Sequence, residues 1–431
     1  MAQIIKPHNG APSEFFEVVV TADQFGNVIH PGNPGGTAVD AFGRQRVSNP
    51  FTLFDSSHRF KDNNLWATAT TGTATATFNA DQGLVDLTVN NAENAEVVRE
   101  TTKVFSYQPG KSLLVMNTFV MSPAKAGLRQ RVGYYGAKNG MYLELDGSVL
   151  SFVKRSFVSG GLVDTKIEQS TWNIDTLDGD GPSGITLDIS KAQILWMDIE
   201  WLGVGSVRLG FVIDGQFIHC HTIHHANIIT STYITTASLP LRYEIKNTTA
   251  TSGSSTMKQI CSSVISEGGY GLSGAQQAVG IPINAPRTLG TAGTFYPVVG
   301  LRLKASGDLL DAIAIITALS MMPISTGAYN WQIKAAGTIT GGTWTDAGVD
   351  SAVEYNITGT SQTGGRILAS GYFSASNQGI TQIDILKEAL FKFQLERNSL
   401  TSTPYEITLV VASNSSSDTV VASMDWEEIS R

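Results

Sequence analysis

An all-β protein is what this sequence predicts, with an extended N-terminal arm ahead of two β-sandwiches. Three observations point there. Short runs of Val, Ile, Thr, Phe and Tyr recur along the chain, broken by Gly, Asn-Gly and Asp-Gly, while capped amphipathic stretches are almost absent. The 431 residues exceed the roughly 250 to 300 at which a single core stops growing, so two cores are expected. The stretch "HPGNPGGTAVDAFGRQRVSNP", His30 to Pro50, holds three of the 14 prolines and too little apolar surface for a core.

Residues 1 to 50 therefore read as an arm. A Pro/Gly arm is ordered only where another surface ties it down, and another chain is the expected surface. Phe42, Arg44 and Arg46 in "AFGRQR" are its candidate anchors, set against the alternative that both arginines are solvated linker charge. Residues 51 to 271 read as the first sandwich. Its clearest signals are two hairpins with Asp-Gly at the tip, "YLELDGSVLSF" at Asp146-Gly147 and "VRLGFVIDGQFIHCHTI" at Asp214-Gly215. Residues 272 to 293, "LSGAQQAVGIPINAPRTLGTAG", read as a linker. Residues 294 to 431 read as a smaller sandwich with strands in "FYPVVGLRLK", "YNWQIKAAG", "GRILASGYFS", "FKFQLER" and "YEITLVVAS", and a short helix over "DILKEAL", Asp384 to Leu390. No fixed-period repeat occurs.

Charged residues are 15% of the chain against a typical value of about 25%, so the surface relies on Ser, Thr, Asn and Gly or is covered by partners. A net charge of -8 with no basic stripe argues against nucleic acid, whose phosphates require clustered Lys and Arg. The N-terminus lacks a charged start followed by an apolar region, so no secretory signal is expected and folding in a cytoplasm is. The longest apolar run, Asp308 to Met322, contains two aspartates and falls short of the roughly 18 residues that span a bilayer, so no membrane insertion is expected. Two cysteines, Cys220 and Cys261, are too few for a disulfide framework.

The densest chemistry lies in "FIHCHTIHH", Phe217 to His225, which holds four of the seven histidines. A two-residue loop at Asp214-Gly215 pairs Phe211 with Ile218, Leu209 with Cys220, Gly210 with His219 and Arg208 with His221. The preceding strand "ILWMDIEW" then joins through Leu202 to Ser206, setting Trp201 against Val207, Ile199 against Leu209 and Met197 against Phe211. The apolar faces coincide across the three strands. The polar face collects Glu200, Arg208 and His221 in one row, and Asp198, Gly210 and His219 in the next, with Trp196 beyond. Cys220 points to the core, as an inert thiol. His224 and His225 cap a turn where the strand ends.

Four readings of this face stay open. His219, His221 and Asp198 could ligate a metal, or a trimer could gather His-x-His pairs around an axis. Arg208 beside His221 opposes a cation there, and no metal or other cofactor is expected. Asp198 and Glu200 could supply part of a sandwich glycosidase site, but Trp196 stands where a further carboxylate is needed. Trp196 could instead stack on a sugar, with the acid and imidazole groups as hydrogen-bond partners. The fourth reading is a satisfied row of ion pairs and hydrogen bonds on a solvated or partner-covered face. Catalytic fingerprints such as GxSxG, HExxH, a P-loop or a Rossmann turn do not occur, so no enzyme is expected. Trp172, Trp331, Trp344 and Trp426 read as core.

"DAFGRQRVSNPFTLFDSSHRF", Asp40 to Phe60, "WMDIEWLGVGSVRLGFVIDGQFIHCHTIHHAN", Trp196 to Asn227, and "LPLRYEI", Leu239 to Ile245, resemble a family of virion structural proteins of tailed bacteriophages. The closing "YEITLVVASNSSSDTVVASMDWEE" is similar to the end of such proteins. The resemblance covers most of the chain. It implies a non-enzymatic particle component, a tail-fibre, baseplate or collar appendage made in the bacterial cytoplasm and carried on the virion, and it brings no catalytic set. On that basis the first sandwich is expected to be of jelly-roll or concanavalin-like type. The arm is expected to attach to other virion proteins or to sister copies, with a homotrimer as the preferred assembly. A host-glycan-binding receptor protein and a head decoration are the alternatives.

Overall fold

The computed structural model describes residues 50–271, 273–375 and 393–430, with the strands Gln3–Pro7, Phe15–Val19 and Thr381–Asp384. The proposed anchors Phe42, Arg44 and Arg46, and most of the "DILKEAL" segment, lie outside the described residues.

The strand pairs are all antiparallel and build four large sheets, two around each of two apolar clusters. The first cluster runs from Phe54 to Val264. One of its sheets has the order Val163–Glu168, Val149–Ser156, Gly140–Asp146, Leu128–Tyr135, Leu241–Asn247, Glu96–Thr101, Trp66–Thr71. The facing sheet has the order Gln216–Ile223, Val207–Ile213, Gln193–Ile199, Ser112–Val120, Ser255–Glu267, Leu84–Val89, Thr75–Asn79, with Phe51–Ser57 also on Ser255–Glu267. Alternation explains the core: Val132 and Tyr134 of one sheet and Leu195, Met197 and Leu209 of the other are all buried in it. The helical segments described in full are two short 3-10 turns, Gln169–Thr171 and Gly307–Asp311.

The second cluster runs from Leu289 to Trp426. Its larger sheet carries Tyr296–Leu303, Glu406–Ser413, Ala328–Thr340 and Ser361–Ser374 as successive neighbours. In the facing sheet Thr419–Ser430 lies between Ile313–Pro323 and Ala275–Gly280. Part of the expected linker is therefore a strand, since Ala275–Gly280 pairs with Ser423 to Glu428. Its polar "AQQAVG" composition hides this, because an edge strand gains its stability from ladder hydrogen bonds rather than an apolar face. The apolar run from Asp308 becomes the strand Ile313–Pro323, and no helix among the described residues is long and apolar enough to cross a membrane.

The sandwiches interlock. Ile313 and Ile315 of the second pack with Val104 of the first. Arg397, 1% exposed, pairs with Glu100 at 2.8 Å and Asp311 at 2.9 Å and donates to the Thr101 carbonyl. Thr102 Oγ1 donates to Glu396 at 2.9 Å, and the Gln394 amide donates to the Val104 carbonyl at 2.8 Å.

Candidate functional site

The hairpin at Asp214-Gly215 forms as a two-residue loop with φ of 52° and 75°, which a left-handed Asp-Gly pair supplies. Ile213 faces Gln216, Phe211 faces Ile218 and Gly210 faces His219, as the spacing requires. Beyond that point a bulge intervenes, because Leu209 faces His221 and Arg208 faces Thr222, leaving Cys220 as the extra residue. Thr222, not His221, thus stands beside Arg208.

The second correction concerns the strand before it. Gln193–Ile199 ends at Ile199, and the turn takes Glu200 to Ser206, closed by the Glu200 N–H donating to the Ser206 carbonyl at 3.1 Å. Ile199 therefore faces Val207, Asp198 faces Arg208 and Trp196 faces Gly210. This is a slide of two residues from the register that puts Trp201 opposite Val207. Sliding by two keeps each side chain on its face while changing its partner.

The rows become Asp198, Arg208, Thr222 and Trp196, Gly210, His219. Arg208 forms an ion pair with Asp198. Thr222 Oγ1 lies 2.8 Å from His219 Nε2, and the Trp196 and His219 rings are 5.7 Å apart. A Cβ on Gly210 would stand 2.9 Å from the Trp196 ring and 2.0 Å from the Ile218 carbonyl, so the indole uses the space that glycine leaves. His221 leaves the row: its Nδ1 accepts the Asn173 N–H at 3.1 Å. Glu200 lies in the turn, half-buried, and its carbonyl accepts the Tyr233 hydroxyl at 2.9 Å.

The face is not solvated. Trp196, Asp198, Arg208, His219 and His221 are all buried within the single chain. Trp196 cannot offer its face to a sugar from that position; its Nε1 donates to the Phe211 carbonyl at 3.2 Å. Both His219 and His221 spend a ring nitrogen on neighbouring protein groups, and among the described residues no three His, Cys, Asp or Glu gather to hold a metal. Cys220 is fully buried and burial raises its thiol far above the usual range, the state of an inert core cysteine.

His225 plays a larger part than a turn cap. Its carbonyl accepts the Ile228 and Ile229 N–H groups, while its buried ring stacks on Tyr233 with centroids 3.9 Å apart. Nδ1 donates to the Gly205 carbonyl at 2.6 Å, and Nε2 accepts from the Lys154 ammonium at 3.3 Å, an arrangement that requires the neutral imidazole. Burial, then Lys154 and His224, lowers its pKa to about 4 despite the Gly205 bond; burial with His219 and His224 does the same for His221.

Two constellations have no counterpart among the sequence motifs. On the outer face of the Val163–Glu168 to Trp66–Thr71 sheet, Arg131 bridges Glu144 at 2.7 Å and Glu244 at 3.3 Å, and the Arg131 and Arg155 guanidinium groups lie over the Tyr142 ring. Burial favours a protonated Glu244, yet Arg131, Arg242 and Arg129 hold its carboxyl below the usual range, so it is fixed charge and not a proton donor.

The other is an open groove of about 750 Å³ on the outer face of the second sandwich. Alternation in "AYNWQI" sends Tyr329 and Trp331 to the core and Asn330 and Gln332 outward. Asn330 faces Tyr372 on the next strand, and Gln332 faces Ser370. Tyr372 is 80% exposed, Phe295 lines the same groove, and Tyr329 stacks on Phe373 beside them at 4.9 Å. The Asn330 Oδ1 is buried with no hydrogen-bond partner among the described residues. The signal for this groove lies in the outward half of each strand, which a search for core residues passes over. Trp344, expected in the core, instead lies half-buried under the Arg302 guanidinium at 4.1 Å.

No protein-family model matches the chain, and no curated protein does. Solved structures that overlap it include the carbohydrate recognition domain of Emp47p, at 10% identity over 53% of this chain and 100% of that one, TM-score 0.32. The exoplasmic/lumenal domain of VIP36, in a Ca2+/Man3GlcNAc-bound form, overlaps at 12% identity over 50% and 90%, TM-score 0.30. Lectin II from Ulex europaeus overlaps at 9% identity over 50% and 100%, TM-score 0.31. TM-scores this low decide nothing about the ligand, and the β-sandwich architecture rests on the strand pairing itself.

Proposed function

We propose that this chain is a non-enzymatic glycan-binding component of a tailed-phage particle, with the groove at Tyr372 as its binding site. The observation that carries the binding is an aromatic ring 80% exposed above a floor of amide and hydroxyl side chains. A tyrosine in that position gives a sugar ring an apolar face to stack on, while Asn330, Gln332 and Ser370 supply directional hydrogen bonds. Isolated exposed tyrosines are common, but here the ring borders a groove whose volume falls within the roughly 300 to 1,000 Å³ typical of small-ligand sites. A glycan array should show binding by the wild type that Tyr372→Ala abolishes with the melting temperature intact. A wild type that binds no glycan refutes the reading.

Membership of the particle is supported by the sequence resemblance over Asp40 to Phe60 and Trp196 to Asn227. In that reading residues 1 to 50 attach the protein, as a homotrimer, to other virion proteins. Deleting them should leave a folded protein that fails to join the particle, and normal incorporation would overturn the attachment role.

A further inference from the structure

The groove's lining also bears on which glycan it takes. None of the described residues that line it carries a formal charge. Lys334, on the same strand as Asn330 and Gln332, places its ammonium 5.5 Å from the centroid of the Phe295 ring. Beneath the far end, Ser413 donates its hydroxyl to the buried Asp418, so the nearby carboxylate is already engaged. The buried polar atom left over in the lining is an acceptor, the Asn330 Oδ1.

We propose that the groove selects neutral glycans and that Asn330 is its specificity-determining residue, accepting a hydrogen bond from a sugar hydroxyl beside the Tyr372 platform. This rests on the glycan-binding reading and narrows it. A buried acceptor without a donor costs about 1 to 3 kcal/mol, which a ligand hydroxyl recovers on binding once the half-buried Asn330 amide turns its oxygen into the groove. A uronate or sialate carboxylate brings another acceptor in place of a donor. It would lose its hydration against amides and rings, and the Lys334 ammonium, held over the Phe295 ring, is not part of the described lining that would have to replace the water. Neutral sugars meet neither penalty.

The test is calorimetric titration of the full chain with neutral hexasaccharides (glucan, galactan and mannan) and with two acidic probes, oligogalacturonate and oligosialic acid. At least one neutral probe should bind with an affinity that barely changes between 50 and 500 mM salt, and neither acidic probe should bind. Asn330→Ala should weaken the neutral probe about 5- to 150-fold, the equivalent of the 1 to 3 kcal/mol above, and Asn330→Leu should do the same, with melting temperatures confirming both folds. Acidic probes that bind, lose affinity with salt and are abolished by Tyr372→Ala would overturn neutral selection while leaving glycan binding in place. Neutral binding unchanged in both Asn330 variants would remove the role of Asn330. Absence of binding by every probe would overturn this inference and the reading beneath it together.

Discussion

Lowering the pH from 7 to 5 should destabilise the first sandwich through two histidines. His221 and His225 have folded pKa values of about 4, whereas an unfolded chain takes up its histidine protons near 6.5. In the window between these values the unfolded state binds more protons than the folded one, so stability falls as pH falls. Full shifts would cost about 1.8 kcal/mol per histidine at pH 5. Relaxation of the surrounding groups around a charged ring, as an effective dielectric near 20 describes, lowers this to roughly 1 kcal/mol each, or about 2 kcal/mol together. At about 2 to 4 °C per kcal/mol for a domain of this size, the melting temperature should drop by roughly 4 to 8 °C. The physical cause at His225 is that its protonation removes the acceptor for Lys154 and places two cations 3.3 Å apart. Urea titrations at pH 7, 6 and 5 should show the slope, and the double variant His221→Gln, His225→Gln should flatten it. Equal slopes for the variant and the wild type would refute the assignment.

Other substitutions separate structural roles from binding. Trp196→Ala should lower unfolding free energy by about 3 to 5 kcal/mol, because the indole is 3% exposed, while leaving glycan affinity unchanged at a temperature where the variant is folded; lost affinity there would restore the sugar-platform reading. Gly210→Ala should destabilise by at least about 1 to 3 kcal/mol in the same denaturation assay, since its Cβ would stand 2.0 Å from the Ile218 carbonyl. Arg397→Met should cost on the order of 3 kcal/mol by leaving Glu100 and Asp311 without their shared guanidinium, and should raise protease cleavage within residues 272–293; an unchanged digestion pattern would show that Arg397 does not hold the sandwiches together. Cys220 should resist thiol reagents until the chain unfolds, and labelling of the native protein would contradict its burial.

Period-2 alternation in "ILWMDIEW" and "VRLGFVI" was enough to say which side chains go to the core, and Leu195, Met197, Ile199, Leu209 and Phe211 are all there. The Asp-Gly signal was enough to place one hairpin tip at Asp214-Gly215. At the other tip the pairing of Asp146 with Val149 makes Gly147-Ser148 the loop. The partners across the sheet were not legible. A turn can lengthen by two residues without moving any side chain to the wrong face, so hydrophobic pattern cannot distinguish Asp198 from Glu200 as the mate of Arg208. A bulge at Cys220 leaves no mark in local propensity either, yet it takes His221 out of the row.

Burial of the polar row was the larger surprise. Polar residues on an outward face predict exposure only if nothing else in the chain covers that face, and coverage depends on segments far away in sequence. The same limit hid the groove, since Phe295, Asn330 and Tyr372 come together only when four strands pair in succession. Alternation and turn chemistry, both local properties of a β-chain, by themselves determined the all-β class and the inward half of each central strand. Register, the covering of the histidine row and the meeting of distant aromatic and amide groups are non-local, and only the tertiary structure decided them.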